Sequence, residues 1–427
     1  MSDDRRDTLA AWAATCLGVP AVELREFLGG AGNLGYQVLA PGSETPIAFL
    51  RTKLGGEQHD NLGYSLAREG AILRVAAELG FPVAPVIGTH DEPDALLMGF
   101  VEGSSRADAA ETEVVAPKYL ALVARIHASD AGRFPVRQFA TLGEAIAGDY
   151  AAWLAEAHDL GVLDDPLIAL ATRVLREHMP GGDGPPSLVH GDVGAGNFLT
   201  LHGEVSAVID WELAHLGDPH EDLAWLWMRG AHAPFGDPQT RFAEYAAASG
   251  THLEQGRLAW HVALVMWKSV LALHGRLRRA VPGELAMVQL IVALTYDVLL
   301  AAQLQRVLGG QGERQQLPPE PAISAEANLA QEVLALAPLA PDQRVVLEYL
   351  RDSAALGDWL RATLATDCRE RLGVEPAALL AHVRDCPSAD LPTVADVLAA
   401  HAERRALTSP KSVRRIERAL TIGLGRP

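Results

Sequence analysis

The sequence predicts an α+β chain with a strand-rich N-terminal part, a long helical part and a helical extension. Three observations predict it. Residues 22–53 alternate with period two around glycine-bearing turns, and Ile47, Phe49, Arg51 and Lys53 fall on one face of PIAFLRTK. From about Val114 the composition turns Ala- and Leu-rich with helical spacing, through LALVARIHA and DYAAWLAEAHDL. The Gly/Gln/Pro-rich segment 309–324, GGQGERQQLPPEPAIS, reads as a linker, and residues 325–427 beyond it read as helical.

The individual elements follow in order. VELREFLGGAGNLGYQVLAPG and PIAFLRTK are strand, glycine turn, strand and strand. LAREGAILRVAAEL, residues 66–79, is helical and stops at Gly80, with Pro82 just beyond. VAPVIGTHDEPDALLMGFVEG is strand, turn, strand, and PGGDGPPS is a loop leading to a short strand at Leu188–Val189. A hairpin follows, FLTL and VSAVID around a turn at His202-Gly203-Glu204, and helices dominate from Glu221 to about Leu308.

Composition bounds the function. The 427 residues carry 36 basic and 54 acidic side chains, a formal charge of −18, and 49% are hydrophobic. At roughly 100–200 residues per domain that length predicts two to four domains with ample core. The acidic balance argues against nucleic acid and anionic membranes as partners and is compatible with a small-molecule substrate. Cys16, Cys368 and Cys386 are widely spaced and fit neither a disulfide framework nor a zinc ribbon, but a reducing compartment. Acidic residues stand where a signal peptide would be basic. The apolar runs LAWHVALVMW and MVQLIVALTY are cut short by Lys268 and Asp297, so they read as buried helices and the chain as cytoplasmic.

The passage with chemical content is LVHGDVGAGNFLTLHGEVSAVIDWELAHLGDPHEDLAWL, residues 188–226. Asp192 ends a strand, Asn197 follows five positions later across Gly194 and Gly196, and the hairpin returns Asp210 to the side of Asn197. One carboxylate able to accept a hydroxyl proton thus lies near an amide and a second carboxylate. Hard oxygen ligands of that kind suit Mg²⁺, and phosphoryl transfer needs such a set. The D-x4-N spacing, followed by a hairpin and another Asp, is that of kinase catalytic loops.

On the strings HGDVGAGN and IDWELAHLGDPHEDLAWL, the chain resembles the aminoglycoside phosphotransferase (choline-kinase-like) family over roughly residues 22–300. Within it, it is most similar to the branch of the kinase-like domain of acyl-CoA dehydrogenase 10. The resemblance implies a two-lobed protein-kinase-like fold: an ATP-binding lobe over 1–103, a helical catalytic lobe over 104–308, and a further helical domain over 325–427. It implies ATP and Mg²⁺ as cofactors, Asp192 as catalytic base with His190 supporting its loop, and Asn197 and Asp210 as metal ligands. GAGNLG at 30–35 precedes a strand rather than a helix, which suits a glycine turn over the ATP phosphates through Gly30, Gly32 and Asn33. Glu69 stands where the family has its helix glutamate. Arg51 and Lys53 both stand as candidates for the phosphate cation, and a planar fork is not equivalent to a point charge. MGFVEG at 98–103, with Phe100 and Glu102, corresponds to the hinge whose backbone would bind adenine.

The resemblance implies a small-molecule kinase acting on a hydroxyl, with a hydroxyacyl-CoA as first acceptor class. The alternatives are an aminoglycoside-type antibiotic phosphotransferase or a catalytically silent kinase-like regulatory protein, whose C-terminal helical domain would dock a protein partner. Other residues carry plainer expectations. Asp218, before Pro219, and Asp222, which opens a helix where a carboxylate caps free N–H groups, stand at positions that the resemblance implies are mainly structural; His215 and His220 are expected not to form a metal site; Trp211, Trp225 and Trp227 are expected in the core, and His127 on a core helix.

Overall fold

The computed structural model describes residues 3–27, 33–53, 62–230, 235–279, 286–309 and 363–406. They fall into two compact units. The first takes in the described residues of Met1–Glu156 and Pro180–Leu258, the second those of Ala157–Met179 and Ala259–Leu424.

The first unit opens with helix α1 (Asp3–Leu17) and a five-stranded antiparallel sheet, β1 (Glu23–Phe27), β2 (Asn33–Leu39), β3 (Pro46–Lys53), β4 (Val86–His90) and β5 (Ala95–Gly99). The strand order is β1-β2-β3-β5-β4. Along β3 the period-two pattern becomes physical: Ala48, Leu50 and Thr52 are buried, while Phe49, Arg51 and Lys53 occupy the opposite, partly open face. Leu9 and Ala13 of α1 join Leu24, Tyr36, Val38, Ala48, Leu50, Ala95 and Leu97 in one apolar cluster beneath the sheet.

Helix α2 (Leu66–Glu78) is capped by the Ser65 side chain, which accepts from the Arg68 N–H, and packs on β3, β4 and β5. It lies so close that a Cβ on Gly70 would meet Thr89 Cγ2 at 2.9 Å and Leu96 Cδ1 at 3.0 Å. A glycine at that turn lets Glu69, its neighbour, sit buried against the sheet.

After the sheet come α3 (Ala109–His127), α4 (Leu142–Asp159), the short strand β6 (Ser187–Val189), the hairpin β7 (Phe198–Leu201) and β8 (Glu204–Val208), β9 (His215–Gly217), α6 (Pro219–Gly230) and α7 (Pro238–Ser249). The helix α5 (Pro166–Glu177) belongs to the second unit. β6 pairs antiparallel with β9, and β7 with β8, as the turn at His202-Gly203 predicts. Trp211, Trp225 and Trp227 are all buried.

In the second unit α5 packs with α9 (Ala286–Val307), α10 (Leu379–Asp385) and α11 (Leu391–Ala406), while α8 (Gln255–Arg279) begins in the first unit. The described residues beyond the linker therefore share one compact unit with α5 and α9: Arg173 donates to the Val383 carbonyl at 3.0 Å, and Gln305 to Asp396 at 2.7 Å. The linker 309–324 and the stretch 325–362 fall outside the described residues, apart from Gly309. Over Gln255–Leu277 α8 is long and apolar enough for a membrane span, with 78% of its apolar window buried inside the fold. Lys268, expected to break that run, is itself 2% exposed. All three cysteines are free.

Candidate active site

Three stretches build the site. The first is the loop 190–197 between β6 and β7, the second the turn after β8, and the third the pair formed by β3 and α2. The Ile209 N–H donates to the Asn197 carbonyl at 3.0 Å, which sets Asp210 beside Asn197 as the hairpin predicts. Asp210 takes left-handed backbone angles, φ 68° and ψ 57°, an uncommon conformation for a residue with a side chain but one that aspartate tolerates. It re-aims the chain into the single turn Trp211–Leu213, anchored by Trp211 Nε1 donating to the Val208 carbonyl at 3.1 Å.

Arg51 organises the sheet side. Its Nη1 donates to Glu69 at 2.6 Å, and its Nη2 to Asp210 at 2.9 Å and Glu212 at 3.0 Å. Lys53, two residues along the same face, turns elsewhere, donating to the Tyr64 carbonyl at 2.7 Å with Asp94 at 3.6 Å. Of the two sequence candidates, Arg51 alone pairs with Glu69. Burial alone would lower the Arg51 pKa, but the three carboxylates outweigh it and hold the guanidinium charged. For Glu69 burial dominates, and with Asp210 and Glu212 nearby its pKa is pushed up to about 7 against the pull of Arg51. Glu212 and Arg68 are functional neighbours that sequence reading missed. Arg68 donates to the Glu212 carbonyl at 3.0 Å and to that of Ala214, tying α2 to the turn that presents Asp210.

On the loop side, Asp192 accepts from Asn197 Nδ2 at 2.5 Å and from Arg229 Nη1 at 2.8 Å on each of its oxygens. Burial pushes the Asp192 pKa up to about 7, with Arg229 acting against that rise. Arg229, at the end of α6, carries no local spacing signal and was not among the candidates. His190 is buried, and burial lowers its pKa, so it is held as the neutral ring. Its Nε2–H donates to the Ile209 carbonyl at 3.0 Å, and its ring lies 4.9 Å from that of Trp211. It braces the loop against the hairpin.

Asp222 corrects one expectation. It does not cap its own helix; the side chain of Asp218 does that, accepting from the His220 N–H at 2.9 Å. Fully buried Asp222 instead accepts from the His190 and Gly191 N–H groups, both at 2.8 Å, and from His127 Nε2 at 2.8 Å. The helix-borne carboxylate thus satisfies the two backbone donors at the head of the 190–197 loop, and His127, whose Nδ1 meets the Tyr245 hydroxyl at 2.7 Å, holds it in place. His215 lies 3.3 Å from Glu221 and 3.7 Å from Asp149, whereas His220 turns to Asp218 at 2.8 Å, so the two histidines do not converge.

The remaining candidates concern the nucleotide. Gly30 and Gly32 lie outside the described residues, and the Asn33 backbone pairs with Lys53 at the start of β2. Phe100 and Glu102 are exposed just beyond β5, and the Glu102 carbonyl accepts from the Ser206 hydroxyl at 2.9 Å. That carbonyl is therefore already engaged, while Ser104 and Thr200 exchange backbone bonds at 2.9 Å and tie the same segment to the hairpin.

The donor set fits a hard divalent cation. Asn197 offers an amide oxygen, Asp210 a carboxylate with 35% of its side chain exposed, and the Arg51 cluster carries three carboxylates against one guanidinium.

The profile of the phosphotransferase enzyme family matches residues 23–260. Among curated proteins, acyl-CoA dehydrogenase family member 10 of Mus musculus is 26% identical over 237 residues, 52% of this chain and 22% of that protein. Hygromycin-B 4-O-kinase of Escherichia coli is 28% identical over 192 residues, 40% of this chain and 55% of the kinase. The matches thus span about a fifth and about half of these two relatives. Among solved structures, a thermostable mutant of aminoglycoside phosphotransferase APH(4)-Ia aligns with TM-score 0.52 and 17% identity, covering 71% of this chain and 100% of that one. These likenesses establish the α+β kinase-like fold.

Proposed function

The chain belongs to the phosphotransferase enzyme family, and from that premise we propose that it transfers the γ-phosphoryl group of ATP to a hydroxyl of a small-molecule metabolite. The observation that carries this reading is the convergence of Asp192, Asn197 and Asp210 with the Arg51–Glu69 pair. In the proposed reaction the acceptor oxygen forms a bond to the γ-phosphorus as the bond to the β,γ-bridging oxygen breaks. The hydroxyl proton passes to Asp192, and ADP leaves. Oδ2 of Asp192 already accepts from Asn197 and Arg229, whereas Oδ1 accepts from Arg229 alone, so Oδ1 is the oxygen that receives the proton.

Arg51, kept charged and held by Glu69, is the group that would face the phosphates. Asn197 and Asp210 would hold Mg²⁺, which when bound supplies charge neutralisation on the phosphates. The segment 98–103 would take adenine and the glycine turn at 30–35 would cover the phosphates. Catalysis in this scheme is positioning and electrostatics with no covalent intermediate.

For the acceptor we propose a hydroxyacyl-CoA, on the strength of the similarity to acyl-CoA dehydrogenase family member 10. An aminoglycoside is the second reading, favoured by the similarity to hygromycin-B 4-O-kinase and by the formal charge of −18. The full set of base and metal-ligand residues speaks against a silent regulatory protein. The test is incubation with Mg-ATP and a pooled panel of hydroxyacyl-CoAs, aminoglycosides and amino alcohols, read by mass spectrometry beside an Asp192→Asn control. A phosphorylated product that vanishes in the control is expected. ATP binding with no phosphorylated product from the panel would reject these acceptor classes.

A further inference from the structure

The catalytic loop is built around a side chain that reaches it from 37 positions away in sequence. Arg229, on the last turn of α6, spends its whole guanidinium on the segment 192–197. Nε donates to the Ala195 carbonyl at 3.1 Å; Nη2 donates to the same carbonyl at 3.0 Å and to Asn197 Oδ1 at 3.1 Å; Nη1 donates to both oxygens of Asp192 at 2.8 Å. All three guanidinium nitrogens, set in a fixed planar fork, thus donate to oxygens of that one segment. The stem is just as closely fitted. A Cβ on Gly194 would meet Arg229 Cδ at 2.9 Å and Cβ at 3.0 Å, and one on Gly196 would meet Nη2 at 3.0 Å. The two glycines between base and amide, at φ 150° and 97°, supply a backbone that favours glycine, and Arg229 lies against both.

We infer that Arg229 is the positioning residue of the phosphoryl-transfer loop: one guanidinium fixes the orientation of the Asp192 carboxylate and the Asn197 amide relative to each other. This rests on the kinase reading given above. The geometry gives the division of labour. Asn197 Nδ2 donates to the Asp192 carbonyl at 2.8 Å and to its Oδ2 at 2.5 Å, which orients the amide with its oxygen away from Asp192. Arg229 then bridges that oxygen and the carboxylate and fastens both to the Ala195 carbonyl midway along the loop. The proton-accepting oxygen and the metal-facing oxygen are thereby held by one rigid planar group. A lysine at 229 could meet Asp192 but could not span Ala195 and Asn197 at the same time. Because these contacts all go to the 192–197 segment, Arg229 holds the loop rather than an incoming ligand, so its loss acts on turnover and leaves nucleotide affinity nearly unchanged.

The experiment compares wild type, Arg229→Lys, Arg229→Met and Asp192→Asn by ADP release from Mg-ATP, with water as acceptor, and by amide hydrogen exchange over 192–197 without nucleotide. A thermal melt of each variant accompanies both. Arg229→Met is expected to lower kcat about 10²-fold, the scale of losing a positioning contact, with the KM for ATP within about threefold. Arg229→Lys should fall between it and wild type at an unchanged melting temperature, and exchange over 192–197 should quicken in the same order. Turnover of Arg229→Met within about threefold of wild type would overturn the role of Arg229 while leaving the kinase reading intact. Wild type no faster than Asp192→Asn would instead reject the kinase reading, and this inference with it. Should the Met variant fail to fold, the Lys variant decides: wild-type kcat in it overturns the positioning role.

Discussion

Two arginines organise this site, and they do so in opposite ways. Arg51 stands among three carboxylates, Glu69, Asp210 and Glu212, and donates to each of them. Arg229 meets a single carboxylate, Asp192, and spends its other donors on neutral oxygens. The first cluster gathers acidic oxygens, a donor set suited to a divalent cation. The second is balanced, which suits a part whose task is to hold still. The same residue type serves as a charge in one place and as a template in the other, and the number of carboxylates within reach makes the difference.

The largest effect should come from the balanced cluster. Asp192→Asn keeps the shape and the Arg229 contacts in part but cannot accept a proton, so turnover should fall about 10²–10⁴-fold, the usual contribution of a positioned base. Initial rates of ADP formation measure it, and near-normal turnover would remove Asp192 from its role. The Arg51 cluster should fail in stability as well as rate. Arg51→Met leaves Glu69 buried beside two further acids, at a cost of about 3–5 kcal/mol for breaking a buried pair. Urea unfolding checks this, and the sign with pH is fixed. Glu69 already has its pKa raised to about 7, and without Arg51 it rises further. The protonated form escapes the burial penalty, so the variant should be less destabilised at pH 6 than at pH 8; an equal loss at both would contradict the cluster's electrostatics.

A smaller effect belongs to pH alone. Because burial raises the Asp192 pKa to about 7, the fraction of ionised base falls below that pH, and kcat/KM should drop toward tenfold per unit on the acid side. A profile flat down to pH 5 would mean that another group takes the proton. The smallest effect separates the two strand cations. Lys53→Met removes a partly exposed contact to Asp94 and one to a carbonyl, so it should change stability by about 1 kcal/mol or less and leave the KM for ATP within a few-fold. A loss as large as that of Arg51→Met would reverse the assignment of the phosphate cation.

The legible part of this protein was what lies close in sequence. Strand alternation at 46–53, the helix 66–79, the hairpin and the loop spacing of Asp192 and Asn197 could all be read, because backbone periodicity and turn chemistry act over a few residues. Asp222 misled because an acid in a helix's first turn satisfies free N–H groups so often, and nothing local says that the donors it serves are those of His190 and Gly191. Arg51 and Lys53 could not be told apart because period two places them on one face. Their fates divide on α2, which Gly70 lets approach near enough to bury Glu69 against Arg51. Arg229 left a trace only in Gly194 and Gly196, glycines that mark a close approach without naming what approaches.

By itself, then, the sequence determined the elements, the loop carrying Asp192 and Asn197, and the family to which the chain belongs, since each is written in short-range spacing. Tertiary structure alone decided which cation meets the helix glutamate, which acid holds the loop's backbone and which arginine bonds both Asp192 and Asn197. Those are choices among side chains of like chemistry, and charge pairing and burial settle them only once distant segments are packed within a few ångströms.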